Sequence, residues 1–367
     1  MADVVHTAER LKELQALPLE RKILISQTRI IEWYQHYKGD VCVSFSGGKD
    51  STVLLHLVRQ LYPDVKAVFA DTGLEYPEIK EFVKKQANVE IVRPKMRFDE
   101  VIRKYGYPLI GKDTALRIYL ARKIRTGGGT NAARRRLVND TDYLGENSIF
   151  ELSKWLPLTR DLPFAISDYC CGIQKKTPLR KHKNPYVGTL AEESLVRRQA
   201  WIRTGCNAYE GKKPHSNPLA FWTEQDILAY LVDNGLEIAS VYGDIVSVDE
   251  DGCEYDAKNA IGVGTCLKCT GCQRTGCVYC GFGFHLEKGE THFQKLAKTH
   301  PRLYEYAIGG GEWADNPTYD PTAAEYDGEW KNWNPKRIWV PNKKGLGMGK
   351  VFDMVNEIYG KDFYRYE

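Results

Sequence analysis

The residues with the clearest chemistry are Ser-Gly-Gly-Lys-Asp-Ser, which directly follow an apolar run. The run predicts a buried strand over 41–46, and the apolar spacing after it predicts a helix over 52–61. Two glycines at such a turn let backbone N–H groups point at an anion, and the helix dipole adds positive potential. Lys49 adds a mobile positive charge, and Asp50 or Ser51 is expected to cap the helix. The segment therefore predicts a phosphate-binding loop.

Two further strands are predicted along the chain, at 66–70 and 89–92, with a helix between them. This β-α-β-α-β order predicts an α/β fold with a doubly wound, mostly parallel sheet. Asp71, Thr72 and Gly73 come directly after the second strand. Because ligands bind at the carboxyl ends of parallel strands, we expect these three residues to face the same crevice as the phosphate loop.

Ten cysteines provide the second chemical signal, and in a cytosolic chain they indicate metal binding or catalysis rather than disulfides. Thiolates two residues apart can bind one metal ion or one cluster. Spacing alone does not choose among three arrangements, which are a [4Fe–4S] cluster on Cys170, Cys171, Cys277 and Cys280, a zinc site on Cys266, Cys269, Cys277 and Cys280, and a ferredoxin-like use of Cys266, Cys269 and Cys272 with a distant fourth ligand.

Composition limits the class of protein. The chain has 367 residues, of which 43% are hydrophobic, so a sizeable core can form. The net charge of +4 does not indicate nucleic acid by itself, but the window from Arg93 to Arg136 holds 13 Lys/Arg against three acidic residues. No segment reaches the roughly 18 apolar residues of a membrane helix. A soluble, cytoplasmic protein with no membrane partner is therefore expected.

Taken together, these motifs resemble the phosphoadenylylsulfate (PAPS) reductase-like family of PP-loop proteins, in the adenine-nucleotide α-hydrolase superfamily. This family includes the Dnd-type DNA phosphorothioation enzymes. The likeness covers roughly residues 38–285. The matching segments are Ser46–Ser51, Asp71–Gly73 with Glu75 to Glu78, Cys170–Leu179, Gly188–Ser194, Asn217–Leu219, Trp222–Glu224 and Cys277–Cys280.

The resemblance implies ATP with Mg²⁺ as the bound nucleotide and one [4Fe–4S] cluster held by a Cys-Cys pair and a distant Cys-x-x-Cys, the first arrangement above. Zinc remains an alternative in the Cys-rich segment, and Cys266, Cys269 and Cys272 remain a possible second metal or thiol group. Lys49 and Asp50 are the expected catalytic residues. The implied nucleotide-binding residues are Ser44, Ser46, Gly47, Gly48, Lys49, Asp50, Ser51, Asp71, Thr72 and Gly73.

Two departures from the family pattern bear on the reaction. Leu190 stands where the family has an arginine, and no cysteine follows Cys280, although sulfonucleotide reductases carry a nucleophilic cysteine near the C-terminus. The predicted function is therefore an iron–sulfur-dependent ATP pyrophosphatase that adenylates an acceptor for sulfur transfer and releases AMP and pyrophosphate. The alternatives are a PAPS or adenylylsulfate reductase, and a nucleic-acid-binding or regulatory module with a relic nucleotide site.

Four parts are predicted along the chain: an N-terminal helical segment (1–40), a PP-loop nucleotide-binding domain (41–250) with a basic insertion around 97–160, a Cys-rich metal or cluster segment (251–308) and a Gly/Trp-rich tail (309–367). In the second part, Thr223 is a predicted helix N-cap, with Asp226 closing a capping box. The basic window raises the expectation of a nucleic-acid acceptor. The alternatives for this window are a solvated loop or a lid over ATP. A sulfur-donor protein is implied by the resemblance alone.

Overall fold

The structure is a computed structural model that describes residues 6–123, 131–146, 148–160, 162–211, 213–257, 266–323 and 333–367. It contains two compact units. Unit 1 comprises Met1–Asp71, Glu75–Arg93 and Pro178–Gly276, and unit 2 comprises Thr72–Leu74, Pro94–Thr177 and Cys277–Glu367. Parts of the predicted basic insertion and of the Cys-rich segment, at 124–130 and 258–265, lie outside the described residues. The four-part division of the sequence stays a prediction.

Unit 1 holds the first strands and helices of the chain. Its described helices are α1 (Ala8–Gln15), α2 (Leu19–His36), α3 (Lys49–Leu61), α4 (Pro77–Lys85), α10 (Leu195–Thr204) and α11 (Glu224–Asp233). Its described strands are β1 (Cys42–Ser44), β2 (Ala67–Ala70), β3 (Val89–Val92), β5 (Pro185–Val187), β6 (Asn207–Ala208), β7 (His215–Ser216), β8 (Ile245–Val248), β9 (Glu254–Asp256) and β10 (Cys266–Cys269).

The main sheet of unit 1 has the strand order β3-β2-β1-β5-β7-β6. All neighbouring strands are parallel except β6 and β7. Val43 of β1 pairs with Ala67 on one side and with Tyr186 on the other, so β1 lies inside the sheet. The chain fills one side of β1 first and then crosses to the other. The predicted doubly wound, mostly parallel sheet is thus confirmed, and its switch point lies at the carboxyl end of β1.

Helix α3 is positioned by burial on several faces. Val53, Leu54 and Leu57 are fully buried, because the helix packs against the sheet and also against α2 and α11. The predicted capping box of α11 is confirmed, since Thr223 accepts from the Asp226 N–H and Asp226 accepts from the Thr223 N–H. These contacts hold the start of α3, and the loop before it, in a fixed place.

Unit 2 contains shorter elements. Its described helices are α5 (Phe98–Tyr105), α6 (Lys112–Lys123), α7 (Asn131–Leu137), α8 (Thr141–Leu144), α9 (Tyr169–Cys171), α12 (His292–Thr299), α13 (Pro301–Ile308) and α14 (Met348–Tyr359). Its described strands are β4 (Leu109–Ile110), β11 (Gly281–Phe282), β12 (Glu312–Asp315) and β13 (Arg337–Val340).

An aromatic core organises unit 2 around the C-terminal helix. The ring of Phe284 lies 4.8 Å from that of Phe293, 5.3 Å from that of Phe352 and 5.1 Å from that of Tyr364 (centroid distances). The pairing of β11 with β4 brings the segment after Cys280 next to Leu109 and Ile110. Within the described ranges, no helix combines the length and apolar character needed to cross a membrane.

Candidate functional site

The loop after β1 requires glycine at two consecutive positions. Gly47 has a φ of +73°, and a Cβ atom there would lie 2.7 Å from a methyl carbon of Val83 and 2.8 Å from one of Ile79. A Cβ atom on Gly48 would lie 3.1 Å from the Tyr242 hydroxyl. Gly47 adopts the left-handed conformation and has no space for a side chain. Gly48 allows its backbone to lie close to the Tyr242 hydroxyl. A side chain at Gly47 would therefore move the loop.

Two serines close this loop from inside. The Ser51 hydroxyl donates to the Gly48 carbonyl at 2.9 Å and accepts from the Ser46 N–H at 3.2 Å, and the two serine hydroxyls are 3.1 Å apart. The expectation that Asp50 or Ser51 caps α3 is wrong, because Gly48 is the N-cap and no side chain caps the helix. Ser51 lies one turn too far along and bonds to its own loop. The N-terminal amides of α3 thus keep capacity for an anion.

Lys49 is buried, with its side chain 5% exposed. Its ammonium lies 2.9 Å from a carboxylate oxygen of Glu224 and donates to the Gln273 carbonyl at 2.8 Å. Its backbone N–H makes only a long contact, 3.4 Å, with the Tyr242 hydroxyl. In this structure the predicted mobile charge is therefore held by a carboxylate, and a bound phosphate would have to compete with Glu224 for the ammonium.

Asp50 faces a group of charges beside the loop. Burial raises the pKa of its carboxyl, while the positive charges of Lys49, Arg274 and Arg197 act in the opposite direction. Both arginines also pair with Glu193, Arg274 at 3.6 Å. The loop is thus bordered by two guanidinium groups, whose charges reach the same carboxyl.

The strand on the far side of the switch point also contributes to the site. Gly188 follows β5, and a Cβ atom on it would lie 3.2 Å from the Asp50 carbonyl oxygen and 3.3 Å from the Ser51 Cα. Ser44, the last residue of β1, pairs in register with Val68 and Val187. The carboxyl ends of β1 and β5 therefore meet at the phosphate loop, as the topology requires.

Asp71 directly follows β2, and its carboxylate lies 2.9 Å from the Lys80 ammonium and 3.2 Å from the Arg93 guanidinium nitrogen. Burial alone would raise its pKa, but these two cations outweigh burial and hold the pKa below its usual value. The Thr72 hydroxyl accepts from the Leu74 N–H at 3.2 Å, and Gly73 has a φ of +79°. The predicted nucleotide-binding segment Asp71–Gly73 is thus a tight turn with an ion-paired carboxylate.

Two thiols of unit 1, which we call the loop thiols, lie beside Lys49. They are Cys269 and Cys272. Cys269 ends β10 and is 2% exposed, and Cys272 is half-buried. Burial raises the pKa of the Cys269 thiol, and the charges of Lys49 and Cys272 act on the same group. Cys266 begins β10 and is exposed. Of the three cysteines predicted as a second thiol group, Cys269 and Cys272 thus belong to the segment that contacts Lys49, whereas Cys266 lies at the other end of β10.

Four thiols of unit 2, which we call the cluster thiols, interact with one another. They are Cys170, Cys171, Cys277 and Cys280. A hydrogen bond between the first two raises the pKa of Cys170 and lowers that of Cys171 to about 6, where the Lys112 charge also helps. Burial, followed by the charge of Cys277, raises the pKa of Cys280 to about 11. Such mutual effects require the sulfur atoms to lie close together.

These contacts bear on the metal hypotheses. Among the described residues, no group of three or more His, Cys, Asp or Glu has the compact arrangement that holds a single metal ion. A [4Fe–4S] cluster is larger than one ion, so its four thiolates lie further apart. Four mutually interacting thiols in one unit fit that donor set.

The comparisons with known proteins agree with this geometry. Residues 40–125 match the family model described as "Phosphoadenosine phosphosulfate reductase domain". An adenosine 5'-phosphosulfate reductase from Staphylococcus epidermidis is 31% identical over 228 residues, which cover 56% of this chain and 67% of that protein. The chain belongs to the PAPS reductase-like family of the adenine-nucleotide α-hydrolase superfamily.

Two further proteins resemble parts of the chain. An adenosine 5'-phosphosulfate reductase from Bacillus cereus is 32% identical over 87 residues, which cover 22% of this chain and only 37% of that protein's length. The crystal structure of a PAPS reductase from Candida auris, in a phosphate complex, aligns with 15% identity and a TM-score of 0.33 over 64% of this chain and 90% of that one.

Four residues that contact the phosphate loop could not be identified as such from the sequence. Glu224 ends the segment Trp222–Glu224, which matches the family pattern, but nothing in that segment indicates a partner for Lys49. Gln273 contributes a backbone carbonyl, which any residue type could provide. Tyr242 reaches the loop from the turn between α11 and β8, and Arg274 reaches it from the segment after β10. Only the tertiary fold reveals these four contacts.

More of the arginines in the basic window are paired within the chain than its composition predicts. Arg122 is buried and donates to the carbonyls of Phe164 and Leu158, so it is structural. Other arginines of the window form ion pairs, namely Arg93–Asp71, Arg97–Asp99, Arg103–Glu312, Arg117–Asp113, Arg135–Asp140 and Arg136–Asp113. Much of the charge expected for a nucleic acid is thus already engaged within the chain.

Proposed function

We propose that this chain binds ATP with Mg²⁺ and cleaves it between the α and β phosphates, adenylating an acceptor for sulfur transfer. The observation that carries the proposal is the intact loop at the switch point of the sheet. Gly47 supplies the left-handed turn of the loop, Gly48 allows its close approach to Tyr242, and the uncapped start of α3 supplies N–H donors for phosphate oxygens. A triphosphate fits this loop because its terminal pyrophosphate carries the charge that the loop attracts.

The chain's own residues then have separate roles. The acceptor oxygen attacks the α phosphorus, the bond to the β-phosphate oxygen breaks, and pyrophosphate leaves with AMP on the acceptor. Lys49 would exchange Glu224 for the leaving pyrophosphate and stabilise its charge. Asp50, whose carboxyl is buried beside Lys49, is the second proposed catalytic residue. Mg²⁺, when bound, would neutralise phosphate charge.

The cluster thiols are the proposed ligands of one [4Fe–4S] cluster. Their mutual pKa effects and their location in one unit support this choice over a zinc site. When bound, such a cluster could bind or relay sulfur, or could stabilise unit 2. The pKa of Cys171, which its hydrogen bond with Cys170 and the Lys112 charge lower, suits a ligand, because thiolates rather than thiols bind iron.

A second candidate is the reduction of a sulfonucleotide. It is supported by the relatives from Staphylococcus epidermidis and Bacillus cereus, which are named adenosine 5'-phosphosulfate reductases. Two sequence features oppose it, because Leu190 stands where the family has an arginine and the segment 281–367 contains no cysteine. This candidate requires a different thiol as nucleophile.

Nucleotide binding separates the two candidates without knowledge of the acceptor. Protein purified without oxygen would be titrated with ATP–Mg²⁺, adenylylsulfate and PAPS in parallel. We expect ATP to bind most tightly, and Lys49→Ala to weaken it by about 10- to 100-fold, because a charged hydrogen bond is lost. Lys84→Ala, an exposed lysine on α4, is the matched control. Tighter binding of a sulfonucleotide than of ATP would contradict the proposed function and favour the second candidate.

A further inference from the structure

The segment after β10 packs tightly on the turn that follows α11. A Cβ atom on Gly271 would lie 2.5 Å from the Val241 carbonyl oxygen, so only glycine allows this approach. The Cys272 N–H donates to the same carbonyl at 2.9 Å, and the Gly271 N–H donates to the Tyr242 carbonyl at 2.8 Å. The backbone of Cys272 is therefore fixed against this turn.

The same segment holds the phosphate loop. The Gln273 carbonyl accepts from the Lys49 ammonium at 2.8 Å, and the Gln273 side chain donates to the Cys269 carbonyl at 2.6 Å. The Thr275 and Tyr242 hydroxyls are 2.5 Å apart, and the Tyr242 hydroxyl contacts the Lys49 N–H. Gln273, whose carbonyl accepts from Lys49, is thus the sequence neighbour of Cys272, and its side chain is hydrogen-bonded to Cys269.

The loop thiols differ in access. Cys269 is 2% exposed, whereas Cys272 is half-buried and reachable from solvent. In a Cys-x-x-Cys pair, the accessible thiol attacks first, and its buried partner resolves the product. The spacing Cys269-Thr-Gly-Cys272 and this difference in access match that division of labour.

We propose that the loop thiols form a redox-active dithiol in the wall of the nucleotide site, with Cys272 as the attacking thiol and Cys269 as the resolving thiol. The proposal rests on the nucleotide site described under the proposed function, but not on which adenine nucleotide fills it. It assigns a chemical role to a pair of cysteines that the iron–sulfur hypothesis leaves unused.

With a small-molecule disulfide as the oxidant, the chemistry balances as follows. The Cys272 thiolate attacks one sulfur atom of that disulfide, a mixed disulfide forms, and the other sulfur leaves as a thiolate. The Cys269 thiol then loses its proton and attacks the Cys272 sulfur, so the Cys269–Cys272 disulfide forms and the second thiolate leaves. The two protein thiols lose two electrons, which the small-molecule disulfide gains, and an external dithiol reverses the reaction.

Alkylation protection tests the proposal on the whole chain. Reduced protein would be treated with iodoacetamide, with and without ATP–Mg²⁺ or adenylylsulfate, and the rate at each cysteine measured by peptide mass spectrometry. We expect a nucleotide near saturation to slow alkylation of Cys272 by about tenfold or more. Cys253 and Cys266, which are both exposed, are internal controls whose rates should not change.

Binding measured on the same samples separates the possible failures. A bound nucleotide that leaves the Cys272 rate unchanged overturns the inference alone. If no adenine nucleotide binds, the proposed function falls, and the inference falls with it. The second measurement is the Cys269–Cys272 disulfide formed in glutathione disulfide buffers. Its appearance in wild type, with a mixed glutathione disulfide on Cys272 in Cys269→Ser, supports the proposal, whereas glutathione on Cys253 or Cys266 alone overturns it.

Discussion

The loop thiols and the cluster thiols share a motif but differ in what surrounds them. In unit 2, the thiols of Cys170 and Cys280 have other sulfur atoms among their nearest interacting groups. In unit 1, Cys269 interacts with the charges of Lys49, Glu224 and Asp50 as well as with Cys272. Sulfur neighbours suit a shared cluster, whereas charged neighbours beside the phosphate loop suit a reactive thiol. The role of a Cys-x-x-Cys segment is therefore set by what it packs on.

The largest expected effect tests whether iron depends on the cluster thiols alone. In protein purified without oxygen, Cys170→Ser or Cys277→Ser should reduce the iron content per chain by at least about tenfold, because a lost thiolate removes a direct ligand. Cys272→Ser, the matched change among the loop thiols, should keep its iron. Iron and acid-labile sulfide assays, with the visible absorption spectrum, measure the difference.

The opposite pattern would reverse the comparison. Loss of iron in Cys272→Ser with retention in Cys170→Ser would make the loop thiols the cluster ligands. Equal loss in both variants, with unfolding followed by circular dichroism, would indicate damage to the fold rather than removal of a ligand. Cys253→Ser, at an exposed position outside both groups, serves as the control for the substitution itself.

The next effect tests whether the phosphate loop depends on its glycine. Gly47→Ala should lower the free energy of unfolding by about 1–2 kcal/mol for the left-handed conformation alone, and further because Val83 and Ile79 are in the way. Gly235→Ala is the matched control, since its φ is +60° and a Cβ atom there meets nothing within 4 Å. Urea unfolding measures both variants.

Nucleotide binding completes this test. Gly47→Ala should also lose most of its affinity for the nucleotide, whereas Gly235→Ala should bind as wild type does. If both variants lose the same stability and neither loses binding, the contacts of Gly47 with α4 do not shape the phosphate loop.

The phosphate loop and the loop thiols show how far sequence reasoning extends. The strand, the glycines and the helix are local features, so the pattern around Gly47 predicts them, and the alternation of strands and helices predicts a mostly parallel sheet. The prediction that Asp50 or Ser51 caps α3 is wrong. The Ser51 hydroxyl could bond to a backbone group at the helix end or to the Ser46 N–H, and only the folded loop decides between these partners. The position of Cys272 beside Lys49 depends on a contact between residues far apart in sequence, which spacing cannot encode.

A smaller effect concerns the ion pairs of unit 1. Asp71 binds Lys80 and Arg93, and its pKa lies below its usual value because these cations outweigh burial. The folded pKa is thus below that of the unfolded chain, which is about 3.9. The stabilisation is present above that value and is lost as the pH falls through the folded pKa. Asp71→Asn should therefore cost about 1–2 kcal/mol of unfolding free energy at neutral pH.

Urea unfolding of wild type and Asp71→Asn at several pH values measures this contribution. The difference between the two proteins should shrink as the pH falls below about 4. A difference that stays constant down to the acid limit would mean that charge at Asp71 does not stabilise unit 1. Glu254→Gln removes an exposed ion pair with Lys268 and is the control, with an expected change of less than about 0.5 kcal/mol.

The smallest effect tests the basic window of unit 2, where Asp113 pairs with Arg117 at 3.3 Å and with Arg136 at 3.5 Å. Asp113 is 60% exposed, so Asp113→Asn should change the unfolding free energy by less than about 0.5 kcal/mol. It should nevertheless free two guanidinium groups. If the window binds phosphates of a nucleic acid, affinity for a single-stranded oligonucleotide should rise a few-fold, and its salt dependence should steepen by about 0.7 for each new phosphate contact.

Glu254→Gln adds the same charge in unit 1, outside the window, and distinguishes a local contact from a change in net charge. An equal gain in both variants would assign the effect to net charge and remove the window as a nucleic-acid site. A gain in oligonucleotide affinity confined to Asp113→Asn would mean that the Asp113 carboxylate weakens binding to this surface in the wild-type chain. In that case unit 2 would pair an acceptor surface with the cluster thiols, while unit 1 would pair the nucleotide loop with the loop thiols.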